Sequence, residues 1–376
     1  MDGDDEDDLW LVQALAVLLQ ASQGGSGALR LVPIPRLLNG EGKRYFERIY
    51  SSINPSLFRD HFRMDKELYD ILFEACDRFI SRKIKYRREV IAVTLDWLGR
   101  AGTCRDQETK FEMAFSTVHR YRRAGLYAIL RGLAGIIDLP SAVPEEFVQK
   151  FPYFDQAVVA IDGVHVPVMV SVEDAEIFRN RKGWTSTNVL IVSDWQVNVA
   201  FIYPGAEGAA HDSMVLAHSN FLQVLPDHVY VLADAGYAFH PQILTPYRGV
   251  RYHLKEFAEG TGRPQTAKEL FNVRHAKARN VVERLNGSMN RRFRILRVPI
   301  ECEFVVVKAI IFACASLHNF IRRNNVADFA EDLREDGDSD DDEDVPVRED
   351  VLPFDFNTPS NWRDWMASTM WNKYNG

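Results

Sequence analysis

The strongest constraint on the fold is a group of four strand-length segments that are rich in Val, Ile and Tyr. Each segment is bounded by turn-forming residues, which is typical of β-strands. The second and third are separated by only two residues, so they predict a hairpin. The segments are "QAVVAIDGVHVPVMV" (156–170), "TNVLIVSD" (187–194), "VNVAFIYP" (197–204) and "HVYVLADAGY" (228–237).

Helical patterns accompany these strands. The segment "AAHDSMVLAHSNFLQVL" precedes the fourth strand, and "GVRYHLK" is a candidate fifth strand. Residues 280–296 and 303–323 have the apolar spacing of helices. This order of elements predicts an α/β fold in which helices pack against a mixed sheet.

The region before the sheet, residues 44–140, has helical spacing throughout. Within it, "RDQETKFEMAF" and "STVHRYRRAGLYAIL" predict two helices joined by a tight turn, with Ser116 as the N-cap of the second. The second helix carries Arg120, Arg122 and Arg123, and the pair resembles a DNA-binding helix-turn-helix. A plain helical module with solvated arginines explains the pattern equally well.

The acidic charge of the chain is concentrated outside its central part. The formal net charge is −8, which by itself speaks against a nucleic-acid partner. However, residues 2–8 carry six acids and no base, and residues 328–350 carry thirteen acids and two bases. Residues 9–327 therefore carry 41 bases and 32 acids. The acidic stretches are interpreted either as solubilising tails or as competitors of DNA for a basic surface.

The ends of the chain predict a tail and linker over residues 1–43, an acidic disordered linker over 328–350 and a Trp-rich tail over 351–376. In that tail, Trp362, Trp365 and Met366 predict a helix docked on the body of the protein. The run "LWLVQALAVLLQ" has 12 residues, too few to span a bilayer, and predicts a buried or partner-docking helix. The four cysteines form no C-x-x-C pair, which favours a reducing compartment without a zinc finger.

A basic segment near residue 280 raises a question about its single carboxylate. Residues 274–297 contain eight Lys or Arg and one acid, Glu283. One interpretation is an exposed basic helix whose Glu is held by neighbouring arginines. The alternative is that the bases bind a polyanion and Glu283 takes part in chemistry on it.

Two further acids follow apolar strands. Asp162 follows "AVVAI" and Asp234 follows "VYVLA". In open α/β sheets, reacting groups gather at the carboxyl ends of strands. Converging carboxylates suit Mg²⁺ or Mn²⁺, and Glu283 would complete a site for two such ions. A single Asp at a strand end is also common in turns, so the prediction depends on all three acids together.

Several motifs in order carry a family resemblance: "AIDGVHVPV", "NRKGWTSTNVLIVSD", "GAAHDSMVL", "LADAGYAF", "PYRGVRYHL" and "ELFNVRHAKARNVVERLNGSMNRRFRIL". Over about 158–323 they resemble the catalytic domain of PIF/Harbinger-type transposases and of the nucleases derived from them. The resemblance implies a DDE enzyme with an RNase H-like fold over residues 150–325, and places the family's acids on Asp162, Asp234 and Glu283. The family's remaining polar motif residues fall on His165, His211, Asp212 and Ser213. Asp212 is a candidate for an accessory role, and His165 is expected to contact the metal ligands without binding the metal itself.

This chain departs from the family pattern beside the third acid. Where relatives typically have Phe and Lys, it has Asn286 and Asn290. On a helix these positions share a stripe with Arg279 and Glu283. The triad is intact while its surroundings are altered, which leaves open a weakened or repurposed enzyme.

The expected function is that of a Mg²⁺- or Mn²⁺-dependent DNA endonuclease with strand-transfer capacity, as the resemblance implies. The expected partners are double-stranded DNA, a Myb/SANT-like DNA-binding protein implied by the resemblance, and a second copy of the chain, with no membrane. Nuclear residence follows from the DNA hypothesis and from "RKIKYRR" (82–88). The alternatives are a non-cutting DNA- or chromatin-binding descendant and, disfavoured by the wide basic surface, a hydrolase of small phosphates. The residues expected to contact DNA are Arg279, Arg284, Arg291, Arg292, Arg120, Arg122 and Arg123.

Overall fold

The computed structural model describes residues 45–226, 228–238, 240–250, 263–324 and 359–375. Four predicted features lie wholly or mostly outside these residues: the tail and linker over 1–43, the apolar run within it, the acidic linker over 328–350, and the candidate strand "GVRYHLK".

Between residues 45 and 132 the chain is helical, as predicted. The helices are α1 (Tyr45–Tyr50), α2 (Pro55–Phe62), α3 (Lys66–Asp77), α4 (Arg87–Arg100), α5 (Cys104–Phe111) and α6 (Phe115–Gly132). Local sequence sets several of their starts. Asn54 accepts a hydrogen bond from the backbone N–H of Ser56 at the start of α2, and Thr103 and Asp106 form a capping box at α5.

Helices α5 and α6 form the predicted close pair, separated by three residues. The prediction that Ser116 caps α6 is wrong, because the helix begins at Phe115 with Ala114 in the cap position. The carboxylate of Glu108 accepts the N–H of Phe115 at 3.3 Å. An acid from α5 therefore accepts one of the backbone N–H groups that the first turn of a helix leaves without an intrahelical partner.

Close packing joins α6 to α4. A Cβ added at Gly125 would stand 2.0 Å from the Thr94 hydroxyl and 2.8 Å from the Val90 carbonyl oxygen. Since no side chain fits there, the glycine lets the two helix backbones approach closely. The Thr94 hydroxyl donates to the Val90 carbonyl at 2.9 Å, so the polar group at this crossing is satisfied.

The five strands form one sheet with the order β3-β2-β1-β4-β5. Strand β4 runs parallel to β1, and β5 runs parallel to β4. Strands β2 and β3 are joined by residues 194–198, which are too few for a parallel crossover, so this pair is antiparallel. The mixed α/β sheet confirms the predicted fold class. The strands are β1 (Ala157–Pro167), β2 (Ser186–Ser193), β3 (Val199–Glu207), β4 (Tyr230–Leu232) and β5 (Ile243–Leu244).

The hairpin between β2 and β3 has a longer loop than the two residues that the sequence predicted. The Asp194 carboxylate accepts the backbone N–H groups of Gln196 and Asn198, at 2.9 and 2.7 Å. This side chain closes a five-residue turn in which Val197 adopts a φ of 63°.

Strand β1 lies at the centre of the sheet. Residues 157–161 are all buried, although successive side chains of a strand point to opposite faces. Such a continuous apolar run indicates a strand covered on both faces. The core that includes Val158 and Ile161 also contains Val215 and Leu216, which follow β3 in the chain.

The remaining helices are α7 (Glu145–Lys150), α8 (Asp212–His218), α9 (Ala267–Arg292), α10 (Phe304–Asn324) and α11 (Pro359–Asn375). Helix α9 begins thirteen residues before the helix predicted at 280–296, and it ends at Arg292, ahead of a 3₁₀ turn over Arg294–Arg297. Helix α10 has the length and hydropathy of a membrane span, but 78% of that window is buried inside the protein. Its burial is that of a core helix.

The Trp-rich tail forms a helix that docks on the sheet region, as predicted for Trp362 and Met366, which are both buried. The Trp362 ring lies 5.2 Å from the Tyr230 ring. The Tyr247 hydroxyl donates to Asp364 at 2.6 Å, which adds a polar contact to this apolar docking.

The chain divides into two compact units. The helical unit comprises Met1–Ile137, Val166–Thr187 and Met289–Asp328, and the sheet unit comprises Asp138–His165, Asn188–Ser288 and Phe329–Gly376. Each unit therefore combines segments that are far apart in the sequence. The three acids singled out from the sequence all belong to the sheet unit.

Candidate active site

The parallel register of β1 and β4 brings two acids together. Ala160 pairs with Leu232 in this register. Asp162 and Asp234 each follow their member of that pair by two residues, so both acids lie at the same level of the sheet. Asp234 comes just after the end of β4, near the carboxyl ends where open α/β sheets place their sites. Strand β1 continues past Asp162 to Pro167, so Asp162 lies within its strand and not at its end as the sequence predicted.

The third acid, Glu283, stands on α9 and is linked to the sheet acids through Arg279. An Arg279 Nη2 lies 2.5 Å from Glu283 Oε1, one helical turn away, and its Nη1 lies 3.7 Å from Asp162 Oδ1. The Arg279 side chain is 7% exposed, whereas that of Glu283 is 56% exposed. A single guanidinium thus joins an acid of the helix to an acid of the central strand.

Helix α9 can present Glu283 in this way because its other face is apolar. Val282, Leu285, Met289 and Phe293 recur at intervals of three and four residues, and all four are buried. The apolar spacing that predicted a helix over residues 280–296 therefore corresponds to a buried stripe, which Phe293 continues just past the end of α9. The burial of that stripe sets the rotation of the helix and hence the side on which Glu283 stands.

Electrostatics confirm that the three acids share one neighbourhood. The pKa of Asp162 is raised from 3.8 to about 7 by the balance of several effects: burial raises it most, Arg279 lowers it, and the negative charges of Asp234 and Glu283 raise it. The backbone N–H of Gly163 also lowers it. The Asp162 carboxyl is therefore short of positive charge even with Arg279 beside it.

This shortage of positive charge is the condition under which carboxylates take up a divalent cation. The donors are oxygen atoms of Asp and Glu, which suit Mg²⁺ and Mn²⁺. Across the part of the chain that the structure describes, no three His, Cys, Asp or Glu side chains stand as they are in an arrangement that could hold a metal ion. The donor set fits a divalent cation in its chemistry and charge, while the guanidinium of Arg279 stands against two of the three donors.

Asp212 supports the backbone beside Asp162. It accepts a hydrogen bond from Asn188 Nδ2 at 2.8 Å. A Cβ added at Gly163 would lie 2.2 Å from Asp212 Oδ1, so this carboxylate packs directly against the glycine that follows Asp162. The resemblance assigned Asp212 an accessory place, and the structure puts it in contact with the active-site strand.

The two histidine candidates occupy different positions. His165 is three residues from Asp162 on β1 and is half-buried. An odd separation places the two side chains on opposite faces of a strand. His211 is exposed at the N-cap of α8. The structure therefore does not group either histidine with the three acids by position alone.

The loop after β4, which follows Asp234, is held by several contacts that the sequence analysis did not single out. The N–H of Gly236 donates to Asp234 Oδ1 at 2.8 Å, and the N–H of Ala238 donates to the Ser213 hydroxyl at 3.0 Å. Arg248 Nε donates to the carbonyl of Ala235 at 2.7 Å. These contacts fix the position of Asp234. Only the side chain of Ser213 was foreseeable, through its place in the His-Asp-Ser motif.

Tyr237 is a further residue of this neighbourhood that sequence reasoning missed. It is 1% exposed. Burial raises the pKa of its hydroxyl well above the ordinary value, and Asp212, Asp162 and Asp234 raise it further. The hydroxyl therefore remains protonated beside the acids. Its place three residues after Asp234 was the available signal.

The arginines of α9 that were predicted to contact DNA differ in how exposed they are and in the contacts that they make. Arg291 is exposed and Arg284 is half-buried. Arg292 donates to the backbone carbonyl of Arg63 within the helical unit. Arg279 is committed to the two acids described above. The structure thus leaves Arg291 as the most accessible of the four.

The arginines of α6 are largely used inside the helical unit. Arg122 is 8% exposed, and its guanidinium donates to Gln107 and to the carbonyl of Gly102, both at 2.7 Å. Arg123 forms an ion pair with Glu303 at 3.0 Å. The DNA contact predicted for Arg122 does not fit this position, because the side chain is consumed by internal hydrogen bonds. Arg120 is half-buried.

Comparisons with known proteins agree with this arrangement. Residues 161–319 match the model of a family described as DDE superfamily endonuclease, a span that includes all three acids. A rat protein named "Putative nuclease HARBI1" is 27% identical over 168 residues, which are 43% of this chain and 44% of that protein. An Arabidopsis thaliana protein named "Protein ALP1-like" is 22% identical over 310 residues, 74% of this chain and 73% of that one.

The human protein that shares the rat protein's name is 25% identical over 167 residues, which are 42% of this chain and 44% of that protein. The chain thus matches less than half the length of these two relatives. No solved structure matches it significantly. These findings confirm the resemblance of the sheet region to DDE endonucleases and to Harbinger transposase-derived proteins.

Proposed function

We propose that this chain, whose residues 161–319 form a DDE superfamily endonuclease domain, is a divalent-metal-dependent DNA endonuclease of the PIF/Harbinger type. The observation that carries the proposal is the position of Asp162 and Asp234 at the same level of adjacent parallel strands, with Arg279 linking Asp162 to Glu283 on α9. The substrate is a phosphodiester of double-stranded DNA, and strand transfer by the freed 3′-OH is a further step of the same chemistry.

The three acids share one task in this proposal, and neighbouring residues support them. Asp162, Asp234 and Glu283 would hold the divalent cations that DDE endonucleases typically use. Such cations supply positive charge that activates water and stabilises the leaving oxygen. The Asp212 carboxylate and the loop contacts of Ser213 keep the two sheet acids in place. The exposed Arg291 would bind a backbone phosphate, which positions the DNA without selecting its sequence.

The proposal includes partners and a location. Double-stranded DNA is the substrate, a Myb/SANT-like protein supplies sequence selection, and a second copy of the chain would assist pairing of DNA ends. Nuclear residence follows from the DNA substrate. The basic segment "RKIKYRR" supports it by composition.

A non-cutting DNA- or chromatin-binding protein is the second candidate. The observation that favours it is the position of Arg279, whose guanidinium contacts two of the three acids, Asp162 and Glu283. The Asn residues at 286 and 290 also replace positions that carry Phe and Lys in the family pattern.

The test is Mn²⁺-dependent nicking of duplex DNA by the purified full-length protein. Glu283→Gln and Asp234→Asn are the catalytic controls, and circular dichroism checks that each variant folds. Cleavage by the wild type alone supports the nuclease. The assay is then repeated with a Myb/SANT-like partner present. If all three proteins bind DNA tightly and none cleaves it in either assay, the result supports the binding protein instead.

A further inference from the structure

The feature that the proposed function does not use is the position of Arg279. Its guanidinium contacts an acid of β1 and an acid of α9 at once, at 3.7 Å from Asp162 Oδ1 and 2.5 Å from Glu283 Oε1. These two acids come from elements that are far apart in the sequence. The guanidinium is therefore the cation that holds them together in the protein as described.

Burial explains why Arg279 takes this position. Its side chain is 7% exposed, and a buried guanidinium is stable only beside negative charge. Asp162, at 24% side-chain exposure, lies beside this guanidinium. The pairing supplies part of the positive charge that the acids need, and it requires no metal ion.

The same position is in conflict with a bound metal ion. A divalent cation that used Asp162 and Glu283 as ligands would have to share their oxygens with the guanidinium. Two positive groups held by the same carboxylates repel each other strongly at the distances involved. The Glu283 oxygen that accepts from Nη2 would also have to give up a charge-assisted hydrogen bond before it turned towards the metal.

We infer that Arg279 is a built-in counter-ion that competes with divalent cations for Asp162 and Glu283. Metal uptake displaces the guanidinium from the acids. The released guanidinium then turns towards solvent on the side of Glu283, whose side chain is 56% exposed. A DNA phosphate on that side binds the guanidinium, so Arg279 can be paired with the acids in the metal-free protein and contact DNA in the metal-bound one. The inference rests on the proposed metal-dependent function.

The consequence is a protein whose metal affinity is low when it is alone. Removing the positive charge at 279 leaves the acids without their internal cation, so the metal-free protein becomes less stable while its affinity for cations rises. A residue that only positioned the ligands would have the opposite effect on affinity, because its loss would disorder the site.

The experiment measures Mn²⁺ binding to the full-length protein by the decrease of the free-Mn²⁺ electron paramagnetic resonance signal, without DNA. Arg279→Gln is expected to bind Mn²⁺ about tenfold more tightly than the wild type. Arg279→Lys, which keeps the charge but loses the planar fork, is expected to lie between the two. Arg284→Gln is the matched control, since it removes the same charge at the position next to Glu283 on α9, and it is expected to change the affinity by less than about threefold.

The outcomes separate the inference from the proposed function. Equal or weaker Mn²⁺ binding by a folded Arg279→Gln protein overturns the counter-ion role while leaving the metal-dependent nuclease intact. The same tightening in Arg284→Gln would also overturn it, because a general charge effect would then suffice. Absence of Mn²⁺ binding in the wild type and in every variant would count against the metal-dependent function itself. Thermal unfolding without metal shows whether Arg279→Lys remains folded if Arg279→Gln does not.

Discussion

The raised pKa of Asp162 makes a quantitative prediction about the metal-free protein. The folded protein holds a proton on this carboxyl up to a pKa of about 7, whereas the unfolded chain releases it near 3.8. Between these values the folded state binds more protons than the unfolded state, so stability is lost as the pH rises through this window. A shift of about three units corresponds to at most about 4 kcal/mol.

Replacing Asp162 by Asn removes this cost, because the amide has nearly the same shape and carries no charge. Relative to the wild type, Asp162→Asn is expected to gain about 3 kcal/mol of unfolding free energy between pH 4.5 and pH 8. The gain reflects the full charge of the wild-type carboxylate at pH 8 in a site that is only 24% exposed.

The assay is urea unfolding of both proteins at the two pH values, with a chelator present to exclude metal ions. Glu145→Gln on α7 is the matched control, because its side chain is exposed and the change removes the same kind of charge. The control is expected to differ from the wild type by less than about 0.5 kcal/mol at either pH. If Asp162→Asn and wild type differ by the same amount at both pH values, the reasoning from burial is refuted.

Three further predictions follow from contacts within the two units. Gly163→Ala places a Cβ 2.2 Å from Asp212 Oδ1, so Mn²⁺-dependent nicking should fall at least tenfold, with about 1–3 kcal/mol lost in urea unfolding; unchanged nicking would contradict the close packing. Tyr247→Phe removes the 2.6 Å hydrogen bond to Asp364 and should cost about 1–3 kcal/mol in the same assay, while an unchanged midpoint would show that α11 docks without it. Arg122→Gln should lower the free energy of unfolding by about 2–4 kcal/mol and leave the DNA affinity of the folded protein nearly unchanged. Arg291→Gln should instead weaken DNA binding and lower the slope of its salt dependence by about one, with stability unchanged; the reverse pattern would show that Arg122 contacts DNA.

The contrast between Arg122 and Arg291 shows what a basic pattern leaves open. Both residues lie on helices with several arginines, and both were predicted to contact phosphates. Arg122 is buried among Gln107 and Gly102, while Arg291 is exposed. Sequence spacing places arginines on a helix, but their availability depends on which face the rest of the protein covers.

Features that depend on local patterning could be predicted from the order of the residues alone. The apolar runs that precede Asp162 and Asp234, and the buried stripe on α9 that turns Glu283 outward, follow from residue spacing. These could be predicted because the periods of strands and helices are set by backbone geometry. The identity of the three acids followed from the same patterns together with the family resemblance.

The way in which these groups meet depends on contacts between distant segments of the chain. The pairing of Ala160 with Leu232 sets the level of the two strand acids, and no local pattern specifies it. The contact of Arg279 with Asp162 joins a helix to a strand and arises only when α9 is placed against the sheet. A sequence shows which side chains carry charge. Burial and distance in the folded chain decide which of these charges pair with one another. Burial and distance depend on packing between segments that are far apart in the sequence.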